Sequence, residues 1–274
     1  MRLGARGRWR RPLAPSRDIH PCSHQERHVT LDDFRQHFDV PRACEELRSL
    51  NRASLFAAAD FVVDRQFDAY QALPVDEVQS AFMLLDRTWA TRLAFDQGAL
   101  DVLTSAYVGN RDLYDQCFRD LREVSLEKHP ERVYEIASKL LQTLLSPDGD
   151  HVVNQHYSFA SKVFHWHAPQ HLPIVDSRAR MSINALQRQC SVRQGRVLAS
   201  TAEMRGGTYI QEYHRWVAFY SQLLRALSAR DRQQLLAADR ASLPSRFRLE
   251  NTLLRVLDKV FYYRGGRAGS DIRD

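Results

Sequence analysis

The sequence predicts an almost wholly α-helical protein built around one sizeable core. Apolar residues recur at helical spacing in one segment after another, alternating strand-like patterns are nearly absent, and Pro and Gly fall between the periodic segments rather than inside them. The 274 residues are 44% hydrophobic and 26% charged, enough apolar mass to bury a core beneath an ordinary charged surface.

Residues 1–28 mix Gly, Arg, Pro and Ser without a hydrophobic period and read as a disordered basic tail. Thr30 suits an N-cap, with Asp32 and Asp33 favourably placed in the first turn of the helix behind it. The Val40-Pro41 step ends that helix and starts the next, and 43–70 is rich in Ala, Leu and Phe. Pro74 opens a helix that spaces Val78, Phe82, Leu85 and Trp89 on one face. Gly98, Gly109 and Pro130 separate further segments, and Val133, Ile136, Leu140 and Leu144 form a stripe within 132–145. Ser146-Pro147-Asp148-Gly149 is a turn. Further helices are expected over 177–190, 209–227 and 246–263. Between them lie a loop with a short helical piece at 191–207, hinged at Gly206-Gly207, and a break at Ser242-Leu243-Pro244. The expected organisation is a tail (1–28), one helical domain (29–264) and a frayed Gly-rich end (265–274).

The formal net charge is +6, and much of the excess lies in Arg2, Arg6, Arg8, Arg10, Arg11 and Arg17. A basic balance suits a polyanionic partner, because Lys and Arg displace counterions from phosphates, but a solvated basic tail has the same composition. Cys22, Cys44, Cys117 and Cys190 are scattered, which argues against a zinc ribbon or disulfide scaffold and makes a reducing cytoplasmic setting the default. No apolar run reaches membrane-spanning length, and no apolar segment follows Arg10-Arg11 as a secretory signal would require. His20, Cys22, His24 and His28 lack a second ligand cluster and read as incidental. The P-loop and dinucleotide-binding fingerprints are absent.

Residues 151–180 carry the chemistry. Ser158, Phe159, Ala160 and Ser161 form a tight stretch ahead of a helix expected to begin near Lys162. Ala168-Pro169 stops that helix, 172–175 runs extended around Pro173, and Asp176-Ser177 suits the N-cap of the next helix. Lys162 lies beside Val163, Phe164 and Trp166. Desolvation there disfavours the ammonium form and leaves a neutral, nucleophilic amine. The structural alternative is a lysine that snorkels to water and an aspartate that only caps a helix.

The order Ser158-Phe159-Ala160-Ser161-Lys162, an apolar aromatic helix, then Pro173-Ile174-Val175-Asp176-Ser177 resembles the helix-hairpin-helix DNA glycosylase superfamily, most of all bacterial branches similar to 8-oxoguanine DNA glycosylase/lyase. Residues 85–92 look like an upstream helix of those branches and 248–263 like their closing helix. The resemblance covers much of 75–263 and is specific only over 158–180. It implies a helix-hairpin-helix glycosylase fold, DNA as partner and no cofactor or metal. In this reading Lys162 attacks the sugar and Asp176 activates the amine or stabilises the cationic sugar. Ser158 and Ala160 stand where the family's hairpin has glycines that let backbone N–H groups approach a phosphate.

His165, His167 and His171 offer donors, but Pro169 interrupts the helix that would align two of them on a metal. His165 either packs in the core or lines a pocket. Tyr209, Tyr213, Trp216, Phe219 and Tyr220 fit core packing better than base stacking, and Arg178 and Arg180 are candidate phosphate contacts. Two other functions compete with a glycosylase/lyase: a catalytically inactive nucleic-acid-binding module, and an interaction protein of a stress or defence system. The sequence leaves the lesion, the choice of DNA or RNA and the oligomeric state open.

Overall fold

The computed structural model describes residues 31–52, 55–89, 97–146, 156–190, 198–199 and 208–270, and all regular secondary structure among them is helical. The helices are α1 (Leu31–His37), α2 (Val40–Arg52), α3 (Leu55–Asp64), α4 (Val78–Trp89), α5 (Gln97–Gly109), α6 (Arg111–Arg122), α7 (Pro130–Leu145), α8 (Tyr157–His167), α9 (Ser177–Cys190), α10 (Thr208–Ala226), α11 (Ala229–Ser242) and α12 (Leu253–Ser270). None of the described helices is long and apolar enough to cross a membrane. Thr30, the 1–28 tail with its Cys and His residues, 147–149 of the expected turn, 191–197 and 200–207 of the expected loop, and positions 90–92 lie outside the described residues.

One contiguous core runs through the helices. The stripe on α7 is buried as its period requires, from Val133 through Leu144. The aromatic residues of α10 go the same way. Tyr209, Tyr213, Trp216, Phe219 and Tyr220 are all buried, so this face packs rather than stacks on a ligand. α10 lies on α7 and α1, and α4 packs against α5 and α8. α11 and α12 close the molecule over α2 and α9. α11 starts at a capping box in which Ser228 and Asp231 satisfy each other's backbone N–H groups.

The last helix departs from its expected bounds at both ends. Only a single 3-10 turn, Ser245–Phe247, forms after Pro244, and α12 proper begins at Leu253. Thr252 sets that start, because its hydroxyl accepts the Arg255 N–H (3.2 Å) while donating to the Pro169 carbonyl (2.7 Å). The end expected to fray from 265 is helical to Ser270. Gly265 makes the continuation possible. A Cβ built on it would sit 1.9 Å from the Arg178 carbonyl oxygen, so α12 approaches the first turn of α9 at a distance only glycine permits. α12 is also buried all round. Leu254, Arg255, Val256, Leu257, Asp258, Lys259, Val260 and Phe261 are all inside.

The two helical glycines with contrasting surroundings give a direct test of this packing. Gly265→Ala should lower the urea unfolding free energy by about 1–3 kcal/mol, the usual penalty for overpacking against rigid backbone. Gly109→Ala, where an added Cβ meets nothing within 4 Å, should be neutral or up to about 1 kcal/mol stabilising.

Candidate functional site

Residues 158–161 form no hairpin. They occupy the first half of α8, and Lys162 lies in the middle of that helix rather than at its start. The correction has a physical cause: small and aromatic residues without glycine or proline offer nothing to stop a helix, and Phe159, Ala160 and Ser161 are all buried. Phe159 packs edge-on against Phe82 of α4. These backbone N–H groups therefore lie in a packed helix, not in an exposed turn.

Lys162 and Asp176 nevertheless come together. Their nearest side-chain atoms, Nζ and Oδ2, are 3.6 Å apart. The Lys162 side chain is 5% exposed and that of Asp176 18%. Lys162 Nζ donates to Ser158 Oγ at 2.8 Å, one helical turn back on the same face. Asp176 caps α9, its Oδ1 accepting the N–H groups of Arg178 (2.8 Å) and Ala179 (3.4 Å). One carboxylate oxygen thus holds the helix and the other faces the amine. Burial pushes the Lys162 amine below the usual lysine range; the carboxylates of Asp176 and Asp258 oppose the shift, and the Arg255 guanidinium adds to it.

The segment that delivers Asp176 is extended and buried from Leu172 to Val175. Among the described residues it has no strand neighbour, and side chains take up most of its backbone polar groups, while the Leu172 N–H donates to the Ala168 carbonyl. Ser161 Oγ accepts the Val175 N–H (3.0 Å), and Ser158 Oγ donates to the Val175 carbonyl (2.8 Å). Tyr213 donates to the Pro173 carbonyl (3.0 Å), and His165 Nδ1 lies 2.7 Å from the Leu172 carbonyl, which makes Nδ1 the protonated nitrogen.

The other candidate residues divide between core and surface. His165 and His167 are fully buried, and His167 Nε2 lies 2.8 Å from the Tyr107 hydroxyl. His171 Nε2 donates to the Val124 carbonyl and its Nδ1 accepts from Tyr70, so each ring nitrogen of His171 is committed within the protein. Arg178 is exposed at the start of α9, where its guanidinium stacks on Tyr262 and donates to the Tyr262 hydroxyl (2.8 Å). Arg180 is half-buried one turn inside α9. Among the described residues no group of His, Cys, Asp and Glu is arranged to hold a metal ion.

Sequence reasoning missed the charged groups of α12. Arg255 is sandwiched among the rings of Phe56, Trp89 and Trp166 and forms ion pairs with Asp60 and Asp258. Lys259 bridges Asp60 (3.2 Å) and Asp239 (3.0 Å). Charged residues inside an apolar helical run were the available signal, since such groups stay buried only when paired. A separate groove of about 390 Å³ lies between α1, the start of α2, α10 and the start of α11, lined by Phe38, Pro41 and Leu227 among others, away from Lys162.

Comparison with protein-family models, with curated proteins and with solved structures finds no match to this chain.

Ser161→Ala removes the partner of a buried N–H group and should cost about 1–3 kcal/mol in chemical unfolding, with loosening of the 172–176 segment in hydrogen exchange. Burial holds His165 at about 3 and His167 at about 4, so both stay neutral in the folded protein while the unfolded chain takes up protons below about 6.5. The contribution of these histidines to stability should therefore fall as pH drops from about 6.5 toward about 4. Each histidine contributes a slope of up to about 1.4 kcal/mol per pH unit. Asp258, raised to about 7 by burial, acts in the opposite sense across this range, as do the raised Asp64 and Glu212, while the lowered His171 acts with the two histidines. Urea midpoints measured from pH 7 to pH 4 read the net slope, and His167→Gln should flatten it.

Proposed function

We propose that this chain is a DNA N-glycosylase/lyase-like protein that acts on a damaged nucleotide through a Schiff base on Lys162, within a fold of the helix-hairpin-helix glycosylase type. The supporting observation is the buried Lys162 amine, depressed by desolvation and held 3.6 Å from the Asp176 carboxylate. The substrate nucleotide leaves the stack and enters the site. The Lys162 Nζ lone pair bonds to the sugar C1′ as the N-glycosidic bond breaks, and the base departs with that electron pair and takes up a proton. The Nζ proton passes to Asp176 or solvent, the sugar ring opens, and the C1′–Nζ bond becomes an imine. Asp176 also stabilises the cationic sugar by its charge. Because 158–161 are helical, phosphate contact falls to side chains, and Arg178, exposed two residues beyond Asp176, is the candidate.

A second reading keeps nucleic-acid binding, or a role as interaction partner in stress or defence, without catalysis. It is favoured by the 4% exposure of Lys162 and by the Ser158 hydroxyl that already engages its amine.

Borohydride trapping separates the two. The protein is mixed with duplexes carrying 8-oxoguanine, uracil or an abasic site and then reduced, which turns an imine into a stable amine link. A covalent adduct lost in Lys162→Gln is the expected result. Asp176→Asn keeps an N-cap residue but removes the charge, and should slow adduct formation by about 10²-fold or more. Salt-sensitive DNA binding without any adduct would sink the catalytic reading and leave the binding module.

A further inference from the structure

The chain has four lysines, and they differ in how their amines are held. Lys128 and Lys139 are exposed. Lys259 is buried between two carboxylates, Asp60 (3.2 Å) and Asp239 (3.0 Å). Lys162 is buried with a longer ion pair to Asp176 (3.6 Å) and one short hydrogen bond, 2.8 Å, to the Ser158 hydroxyl. The closest partner of this buried amine is therefore a neutral group.

That bond has a fixed direction. A serine hydroxyl carries one hydrogen and two lone pairs. Ser158 sends its hydrogen to the Val175 carbonyl (2.8 Å), so its oxygen meets Nζ as an acceptor only. A hydroxyl free to turn would instead donate to a neutral amine and occupy the lone pair that attacks an electrophile. The Asp176 carboxylate also presents an acceptor, Oδ2, while its Oδ1 takes the N–H groups of α9. A neutral amine has two hydrogens and one lone pair. With two acceptors beside it, the hydrogens are taken up and the lone pair stays open. Ser158 is half-buried in the first turn of α8 and Lys162 lies one turn further on, so the helix itself keeps both side chains on one face.

We propose that Ser158 is a positioning residue for Lys162: its hydroxyl, turned by the Val175 carbonyl, holds one Nζ hydrogen and keeps the amine beside Asp176 with its lone pair unoccupied. The same bond favours the ammonium over the neutral amine, because a charged donor gains more from an acceptor than a neutral one does. Ser158 thus lowers the fraction of neutral amine while fixing its geometry. The charged groups that face Nζ from the packed elements are Asp176 ahead of α9 and Asp258 and Arg255 on α12. All of them remain when Ser158 is replaced, so a change in Lys162 reports the lost hydroxyl.

This rests on the reading of Lys162 as the reactive amine, but the first measurement needs no substrate. The Cε resonance of Lys162 is followed by ¹³C NMR against pH in the full chain, assigned by its loss in Lys162→Met. Ser158→Ala should move the midpoint down by about half to one pH unit, and Ser158→Thr, which keeps the hydroxyl, should restore it. Ser161→Ala releases the other side of Val175 but keeps the bond to Nζ, and should move the midpoint by much less. No shift in folded Ser158→Ala, an equal shift in Ser161→Ala, or no rescue in Ser158→Thr would overturn the proposal and leave only a clamp on Val175. If Ser158→Ala does not fold, Ser158→Cys, whose thiol is a weak acceptor, replaces it in the same comparison. The second measurement is borohydride trapping on a duplex with an abasic site. Per neutral amine, Ser158→Ala should form adduct about tenfold more slowly than the parent, and a rate equal to or above the parent's overturns the positioning role. A shifted midpoint with no adduct from the parent protein discards the glycosylase reading and retains the hold of Ser158 on the amine.

Discussion

The two serine hydroxyls that hold Val175 are the constraint on which the site depends. A buried extended segment ordinarily needs a sheet to satisfy its backbone, and none is present among the described residues. Ser158 and Ser161, one turn apart on α8, take the place of a neighbouring strand by occupying the Val175 carbonyl and N–H. Asp176 is the next residue, so its position relative to Lys162, on that same helix, is set by the clamp rather than by the 3.6 Å ion pair. Ser158 links the two functions directly, since its oxygen accepts from Lys162 Nζ while its proton goes to Val175. Glycines at these positions would remove both contacts, which accounts physically for hydroxyl-bearing residues on this helix.

A second constraint comes from α12. A helix buried on every side must pair whatever charge it carries: Arg255 pairs with Asp258 on the same helix and with Asp60 of α3, and Lys259 pairs with Asp60 and with Asp239 of α11. The stacking of Arg255 among Phe56, Trp89 and Trp166 shows why arginine suits this position: a planar, weakly hydrated cation tolerates aromatic faces. The same helix meets α9 through Gly265, close to the turn that Asp176 caps. The electrostatics that reach Lys162 and the packing that fixes Asp176 therefore share one element.

Much of the fold was legible in the residues. The stripe on α7, the aromatic face of α10, the bounds of α9 and the N-cap role of Asp176 follow from helical period and capping chemistry, which act over three or four residues. The closeness of Lys162 to Asp176 was implied by the family resemblance and not by the residue types alone. Two local features misled. Ser158 to Ser161 suggested a turn ahead of a helix, yet small residues carry no breaker, and burial of Phe159 and Ala160 favours continuing the helix. The glycines after Arg264 suggested fraying, because the usual cost of glycine in a helix ignores the case where a neighbouring backbone occupies the space a Cβ would need.

By itself the sequence determined a helical chain, the buried faces of α7 and α10 and the capping role of Asp176, because these depend on periodicity and on the intrinsic properties of side chains. Only the tertiary structure decided that residues 158–161 are helical, that His165 and His171 serve backbone carbonyls, and that Arg255 is buried among three aromatic rings and paired with Asp60 and Asp258. Those outcomes are set by contacts the helical period does not specify or by the balance of burial against local preference. No short-range pattern encodes the dielectric surroundings that shift a lysine.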